Sequence, residues 1–250
     1  MPEYSPALSI VTAALELLAA GWALRAHGRR DVRIPVALMF VFLAGYQLIE
    51  VFVCRDPTNV FLARAAFVDV VWLPPLGLLF LLRLGRPRRR IWTWLVYGTL
   101  GLAGVISVWV VVDPTFVTGT VCQAVIAFYT HPTNGIELYG MFYHAGLWAM
   151  MVGGIRVILK ADDPRDRAHA ADFVMGTVGF VVLALTTEVV FPGTRNATPS
   201  VMCHYAIMLA LFLARLMWRE SRSREGRAAA AQARATATPD RLSPDVPPGS

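Results

Sequence analysis

Ionisable side chains recur inside the apolar stretches of this sequence, where they are costly and therefore candidates for function. Six such residues stand in six different stretches: Glu16, Glu50, Asp69, His144, Glu188 and His204. Carboxylates and imidazoles are common ligands of zinc and iron. We therefore predict that His144, Glu188 and His204 hold a divalent metal such as zinc or iron. Glu50 and Asp69 are the candidate catalytic carboxylates, one of which would act as general base on metal-bound water.

Taken singly, each of these residues has an ordinary explanation. A carboxylate near the membrane surface can reach water, and a buried histidine is commonly a hydrogen-bonded core residue. Taken together, six residues at similar depth favour one shared polar site. Gln47, Glu50 and Cys54 strengthen this interpretation, because spacings of three and four place them on one helical face. Glu16 is the deepest and is expected to be the least connected member.

The elements that must position these side chains are seven apolar stretches, each long enough to cross a bilayer, which takes about 20 residues. They are residues 7–24, 34–54, 61–82, 91–112, 137–159, 170–191 and 199–218. A chain that is 56% hydrophobic and 16% charged is neither an ordinary soluble domain nor a disordered protein. The predicted fold is an all-α bundle of seven transmembrane helices over residues 1–218.

Basic residues predict the orientation of this bundle. Of 23 Lys and Arg residues, 20 fall in the first, third and fifth connections, after the last stretch, or in the last four residues of a stretch that ends on that side. The positive-inside rule then places the N-terminus outside and the C-terminus in the cytoplasm, in the inner (cytoplasmic) cell membrane. The net charge of +6 thus reflects the orientation of the protein in the membrane and does not indicate a nucleic-acid partner. Residues 219–250, rich in Ala, Arg and Pro, are predicted to be a disordered cytoplasmic tail.

Two further features concern the connections and helix breaks. The fourth connection, residues 113–136, lacks Lys and Arg but is partly apolar, so we expect it to fold over the outer mouth of the bundle. Cys54 and Cys122 both fall at the outer face and are predicted to form a disulfide, which leaves Cys203 free. Pro74 and Pro75 stand in the middle of the third stretch and should kink or break that helix.

The segments "GYQLIEVFVC", "WLPPLGLLFLL" and "SVMCHYAIMLALFLARLMW" resemble an uncharacterised bacterial family of seven-span membrane proteins. Its members begin Met-Cys-x-Ser, end the second helix with Gln-Leu-Ile-Glu and carry a cysteine in the last helix. Here the start is "MPEYS", so Ser5 matches and the cysteine is absent. The resemblance implies the seven-helix architecture but does not indicate any particular activity.

Three hypotheses of function follow. The first is a metal- or small-ligand-binding site in the outer half of the bundle, with hydrolysis of a lipid-like or amphipathic substrate as one expected activity. The second is a non-enzymatic sensor or transporter that uses the same carboxylates and histidines. The third is a structural membrane protein in which polar residues only join helices. The sequence alone does not choose between an enzyme and a non-enzymatic protein.

Overall fold

The computed structural model describes residues 4–85, 90–132 and 135–236, with side chains except at 195–196 and 224–236. The α-helices are α1 (Ala7–Arg25), α2 (Arg30–Arg55), α3 (Val60–Val70), α4 (Leu73–Gly85), α5 (Arg90–Val112), α6 (Gly135–Lys160), α7 (Pro164–Val190), α8 (Thr198–Tyr205) and α9 (Ile207–Thr236). A short 3-10 helix, Pro192–Ala197, joins α7 to α8. Strands β1 (Gly119–Gln123) and β2 (Ile126–Thr130) lie between α5 and α6.

Seven helical segments are long and apolar enough to span a membrane, with α3 and α4 forming one segment and α8 and α9 another. The predicted multi-pass helical bundle is therefore confirmed at this level. Helix α2 is central, because it packs against α1, α3, α4, α8 and α9. Helix α5 is peripheral and packs against α3 and α4.

Helix α1 has an inverted distribution of side chains. It buries Ser9, Thr12 and Glu16 against the bundle and exposes large apolar residues such as Leu15 and Leu18. In water this arrangement would be unfavourable, whereas lipid chains are a good solvent for the exposed face. The burial pattern therefore agrees with a membrane protein whose polar groups turn inward.

The break between α3 and α4 has a local cause. Pro74 lacks the N–H that would bond to the carbonyl of Val70, and its ring would clash with that carbonyl. Helix α3 accordingly ends at Val70 and α4 begins at Leu73. The break predicted from Pro74 and Pro75 is confirmed.

A second break, between α8 and α9, involves no proline. The Gln47 amide of α2 donates a hydrogen bond to the Cys203 carbonyl at 3.0 Å. In a continuous helix that carbonyl would accept from residue 207, where α9 begins. The buried Gln47 side chain thus pairs with a backbone group at the interruption, a recognised cause of helix kinks.

The connection after α5 contains the one element type that the all-α prediction omits. Strands β1 and β2 form an antiparallel hairpin in which Gln123 pairs with Ile126 across a two-residue turn. Ala124, in this turn, has a φ of 51°, as tight hairpin turns require. The omission has a physical reason, since two five-residue strands are too short to show a clear period of two.

The hairpin is fixed to the rest of the protein at several points. A disulfide joins Cys54 at the end of α2 to Cys122 on β1, with Cα atoms 5.6 Å apart, and Cys203 is a free, buried thiol. This is the pairing that the sequence predicts. The Ser5 N–H also donates to the Ala124 carbonyl at 2.7 Å. We call this end of the bundle the hairpin end.

The opposite end carries the α1–α2 and α6–α7 connections and is called the basic end. Helix α9 continues there to Thr236, although the sequence predicts a disordered tail from residue 219. Residues 220–223 are described with side chains, and Glu220 is only 1% exposed. The remainder of the predicted tail, residues 237–250, lies outside the described residues, as do Arg86, Arg88 and Arg89.

Candidate functional site at the hairpin end

Glu50 is the centre of a buried polar cluster at the hairpin end. It lies on α2 with 0% of its surface exposed. The Ser9 hydroxyl on α1 donates to Glu50 Oε1 at 3.5 Å, and His204 Nε2 on α8 lies 3.9 Å from the same oxygen. The hydroxyls of Tyr46 and Ser200 also lie close to this carboxylate. Three helices therefore surround Glu50 with polar groups.

The β1–β2 hairpin covers this cluster. The hydroxyls of Tyr46 and Tyr129 lie 3.3 Å apart, and the Ala127 N–H donates to the Ser200 hydroxyl at 3.2 Å. Strand β2 therefore contacts both α2 and α8 directly above Glu50. Because the disulfide holds β1 to the end of α2, the hairpin has little freedom to move away from the cluster.

His204 and Glu50 face each other in an unusual way. His204 Nδ1 lies 2.8 Å from the Ser200 carbonyl, and a carbonyl oxygen only accepts, so Nδ1 carries the hydrogen. In a neutral ring Nε2 is then an acceptor that points toward a carboxylate, itself an acceptor when ionised. Neither His204 Nε2 nor Glu50 Oε2 has a hydrogen-bond partner. The arrangement is favourable only with a proton on one of the groups or a small donor between them.

Two more carboxylates extend the cluster along the bundle axis. Glu16 is 2% exposed, and its two carboxylate oxygens have no hydrogen-bond partner. Its carboxyl group lies within electrostatic range of that of Asp69. Asp69 packs against the backbone of α2, where a Cβ on Gly45 would lie 2.5 Å from Asp69 Oδ1. Both carboxyl groups and that of Glu50 lie within electrostatic range of the Cys203 thiol. Glu16 lies inside the bundle because α1 turns its polar face inward, although no hydrogen bond joins its carboxylate to the other residues of the cluster.

The remaining predicted site residues stand apart from this cluster. His144 is exposed, with Nδ1 bound to the Gly140 carbonyl at 2.7 Å. Glu188 is half-buried near the end of α7. Within the described ranges, no three His, Cys, Asp or Glu side chains are grouped so that they could hold a metal ion. Of the five predicted site residues, the structure brings Glu50 and His204 into contact and places Asp69 against Gly45, on the same helix as Glu50.

His144 instead lines a groove of about 270 Å³ between α3, α6 and α8. Its aromatic wall includes Phe67, Tyr139 and Tyr143, and its polar groups include Glu137 and the two imidazoles of His131 and His144. Phe67 is the hub of this wall, with ring centroids 5.0–5.5 Å from those of four neighbours, among them Tyr139 and His131. The seven-residue spacing of Glu137 and His144 places both on one face of α6.

Helix α8 separates the groove from the buried cluster and contacts both. Thr198, Pro199 and Met202 line the groove. Ser200 and His204, on another face of the same helix, contact the hairpin and Glu50. A displacement of this eight-residue helix would therefore change both the shape of the groove and the contacts of Glu50.

The basic end holds a second cluster of buried charges. Arg29, on the α1–α2 connection, contacts Asp166 at 2.6 Å and Glu220 at 3.2 Å, and its backbone N–H donates to Glu220 at 2.9 Å. His169 Nε2 lies 2.9 Å from the other Glu220 oxygen. Nearby, Arg219 contacts Asp172 at 3.0 Å. The network joins α7, α9 and the first connection.

None of the residues in this second cluster is among the site residues predicted from the sequence. The predicted start of the sixth span explains the omission, because that span is predicted over residues 170–191 whereas α7 begins at Pro164. Asp166, His169 and Asp172 are thus inside the helix at spacings of three, which puts them on one face. That spacing was the available signal.

No family model matches the chain, and no curated protein matches it either. The functional assignment therefore depends on the geometry of these sites.

Proposed function

We propose that this protein is a non-enzymatic membrane sensor that binds a small amphipathic cation in the groove at the hairpin end. The observation that carries the proposal is the position of α8, which lines the groove with Met202 and contacts Glu50 through His204. A ligand that shifts α8 would thereby change the buried polar cluster and its contacts with the hairpin. A sensor needs such an arrangement, since one element that contacts two sites can couple them when it is displaced.

The chemistry of the groove favours a cation. Phe67, Tyr139 and Tyr143 offer aromatic rings, which attract cations through their electron-rich faces. Glu137 is exposed at the groove and is the one carboxylate among its described lining residues, which include no Lys or Arg. Burial lowers the pKa of the His131 imidazole from its ordinary value of 6.5. Burial therefore favours the neutral form of His131, which does not oppose a positive ligand.

The metal-dependent hydrolase predicted from the sequence is not the basis of this proposal. It requires His144, Glu188 and His204 to meet around one ion. His144 lines the groove and His204 faces Glu50 on the other side of α8. The described part of the chain thus gives the non-enzymatic hypothesis the more direct support.

Binding of benzyltrimethylammonium by detergent-purified protein, measured by isothermal titration calorimetry, tests the proposal. Benzoate serves as the anionic counterpart with the same ring. We expect the cation to bind and benzoate to bind at least roughly fivefold more weakly, because Glu137 attracts one and repels the other. Equal binding of the two probes, or none of either, would contradict the assignment.

Variants localise the binding. Met202→Trp should fill the groove and abolish binding, and Glu137→Gln, an exposed substitution that cannot unfold the bundle, should weaken it by roughly threefold. Glu188→Gln is the matched control, because it removes a carboxylate from α7 outside the groove and should leave the affinity unchanged. A loss of affinity in Glu188→Gln as large as that in Glu137→Gln would place the site elsewhere.

A further variant tests the sensing step. Gln47→Ala removes the hydrogen bond to the Cys203 carbonyl without altering any residue that lines the groove. If α8 couples the two regions, this change should alter the affinity for benzyltrimethylammonium by roughly threefold. An unchanged affinity would leave the binding site intact and would contradict the coupling through α8.

A further inference from the structure

A second groove lies at the basic end, between α4, α5 and α6, with a volume of about 70 Å³. Its walls are apolar and include Leu81, Leu95 and Val157. Two cationic side chains, Arg156 and Lys160, stand on the α6 side of the groove. The combination of an aliphatic slot with cations at one end matches a molecule that has an apolar chain and an anionic head.

The two cationic side chains, Arg156 and Lys160, form no ion pair with a described carboxylate. The Arg156 guanidinium lies over the Trp92 ring, 4.4 Å from its centroid. This contact orients the guanidinium and leaves its edge N–H groups available. Neither Arg156 nor Lys160 takes part in any of the ion pairs found between described residues. Arg29 and Arg219, at the same end, are paired with buried carboxylates.

The position of the groove decides which anion it meets. Helix α5 is at the periphery of the bundle, and Leu95 on its outer face is exposed. In a membrane this face contacts lipid. Tryptophan and basic residues are typical of the level of the lipid head groups, and basic pockets between transmembrane helices bind anionic head groups. A free phosphate ion would use the cations and gain nothing from the leucines.

We propose that this groove binds an anionic glycerophospholipid, with one acyl chain between α4 and α5 and the phosphate held by Arg156 and Lys160. Trp92 positions the guanidinium and borders the acyl chain. The site is separate from the groove at the hairpin end, so it stands whether or not the sensor assignment is correct.

Native mass spectrometry of the full chain in detergent, titrated with palmitoyl-oleoyl phosphatidylglycerol, tests the proposal. Phosphatidylcholine with the same acyl chains is the control lipid. The first phosphatidylglycerol should bind roughly tenfold more tightly than the first phosphatidylcholine, since two cations meet an uncompensated negative charge. Equal affinities would overturn the proposal, and so would competition by inorganic phosphate alone at millimolar concentration.

The variant Arg156→Gln/Lys160→Gln should lose this preference. The matched control Arg25→Gln/Arg30→Gln removes two exposed positive charges from the same end of the bundle and should retain it. Lys160→Gln alone changes an exposed residue in the last turn of α6 and keeps the test valid if the double variant fails to fold. It should weaken phosphatidylglycerol binding by roughly threefold. Equal losses in the two double variants would show a diffuse charge effect and would also overturn the site.

Discussion

The two ends of the bundle both bury carboxylates but surround them differently. At the basic end, Asp166, Asp172 and Glu220 each contact an arginine, and Glu220 also contacts His169. Toward the hairpin end, Glu16, Glu50 and Asp69 retain carboxylate oxygens that are buried without a hydrogen-bond partner. Among the described residues, no other carboxylate has such an oxygen.

This difference separates two uses of buried charge. A buried ion pair with complete partners fixes how helices meet, and removal of one partner is costly because the other charge is left unpaired. A buried carboxylate without partners costs stability and is retained where it has another use. The basic end is thus interpreted as a structural clamp, and the hairpin end as the region that responds to a ligand.

The largest expected effect concerns the topology on which the comparison depends. Reporter fusions after Arg30, Arg88, Asp163 and Glu225 should all give a cytoplasmic signal, because the basic connections remain inside. A fusion after Thr118, beside the hairpin, should report the exterior. Paired alkaline phosphatase and green fluorescent protein fusions measure this. A cytoplasmic signal at Thr118 would reverse the predicted orientation.

The next largest effect is expected at the clamp. Glu220→Gln removes the charge that faces Arg29 and His169 and puts an amide with donors of its own beside their N–H groups. We expect the free energy of unfolding to fall by about 3 kcal/mol. Unfolding by sodium dodecyl sulfate, followed by circular dichroism, measures the change. Arg222→Gln, which removes an exposed charge two residues further along α9, should have little effect.

The disulfide is expected to contribute less than the clamp. Replacement of Cys54 and Cys122 by Ala removes a link across a sequence separation of 68 residues and should cost about 2 kcal/mol, because the unfolded state gains freedom. The hairpin should become more susceptible to proteolysis at the turn, which mass spectrometry would locate. Intact resistance to protease would show that the contacts of Tyr129 and Ala127 hold the hairpin without the disulfide.

The sequence predicts much of the architecture for physical reasons that are local. Apolar length defines the seven spans, and the missing N–H of Pro74 defines the break between α3 and α4. Glu50 is recognisable because a carboxylate in an apolar stretch is rare. The rotation of each helix about its axis is not local, and it decides that Glu16 turns inward whereas His144 faces the groove.

Two features of the structure escape prediction for this reason. The groove exists only because α3, α6 and α8 meet, and no short pattern encodes that meeting. The pairing of Arg29 with Glu220 joins residues separated by 191 positions. By contrast, the disulfide pairing follows from the depth of Cys54 and Cys122 alone, since both lie at the same face.

The smallest expected effect is the one that distinguishes the two ends most directly. Glu50→Gln preserves the shape of the side chain and replaces a carboxylate by an amide with an N–H₂ group. His204 Nε2 is an acceptor without a partner, 3.9 Å from Glu50 Oε1. The amide can therefore supply the donor that this nitrogen lacks.

Glu50→Gln should consequently leave the free energy of unfolding unchanged or raise it by up to about 1 kcal/mol. The same change at Glu220 should lower it, because there the carboxylate already receives hydrogen bonds from Arg29 and His169. Both variants are measured side by side in the same detergent. Opposite signs would support a clamp at one end and an unsatisfied site at the other. A loss at Glu50 equal to that at Glu220 would mean that Glu50 is a structural partner of His204, and the contrast between the two ends would then be wrong.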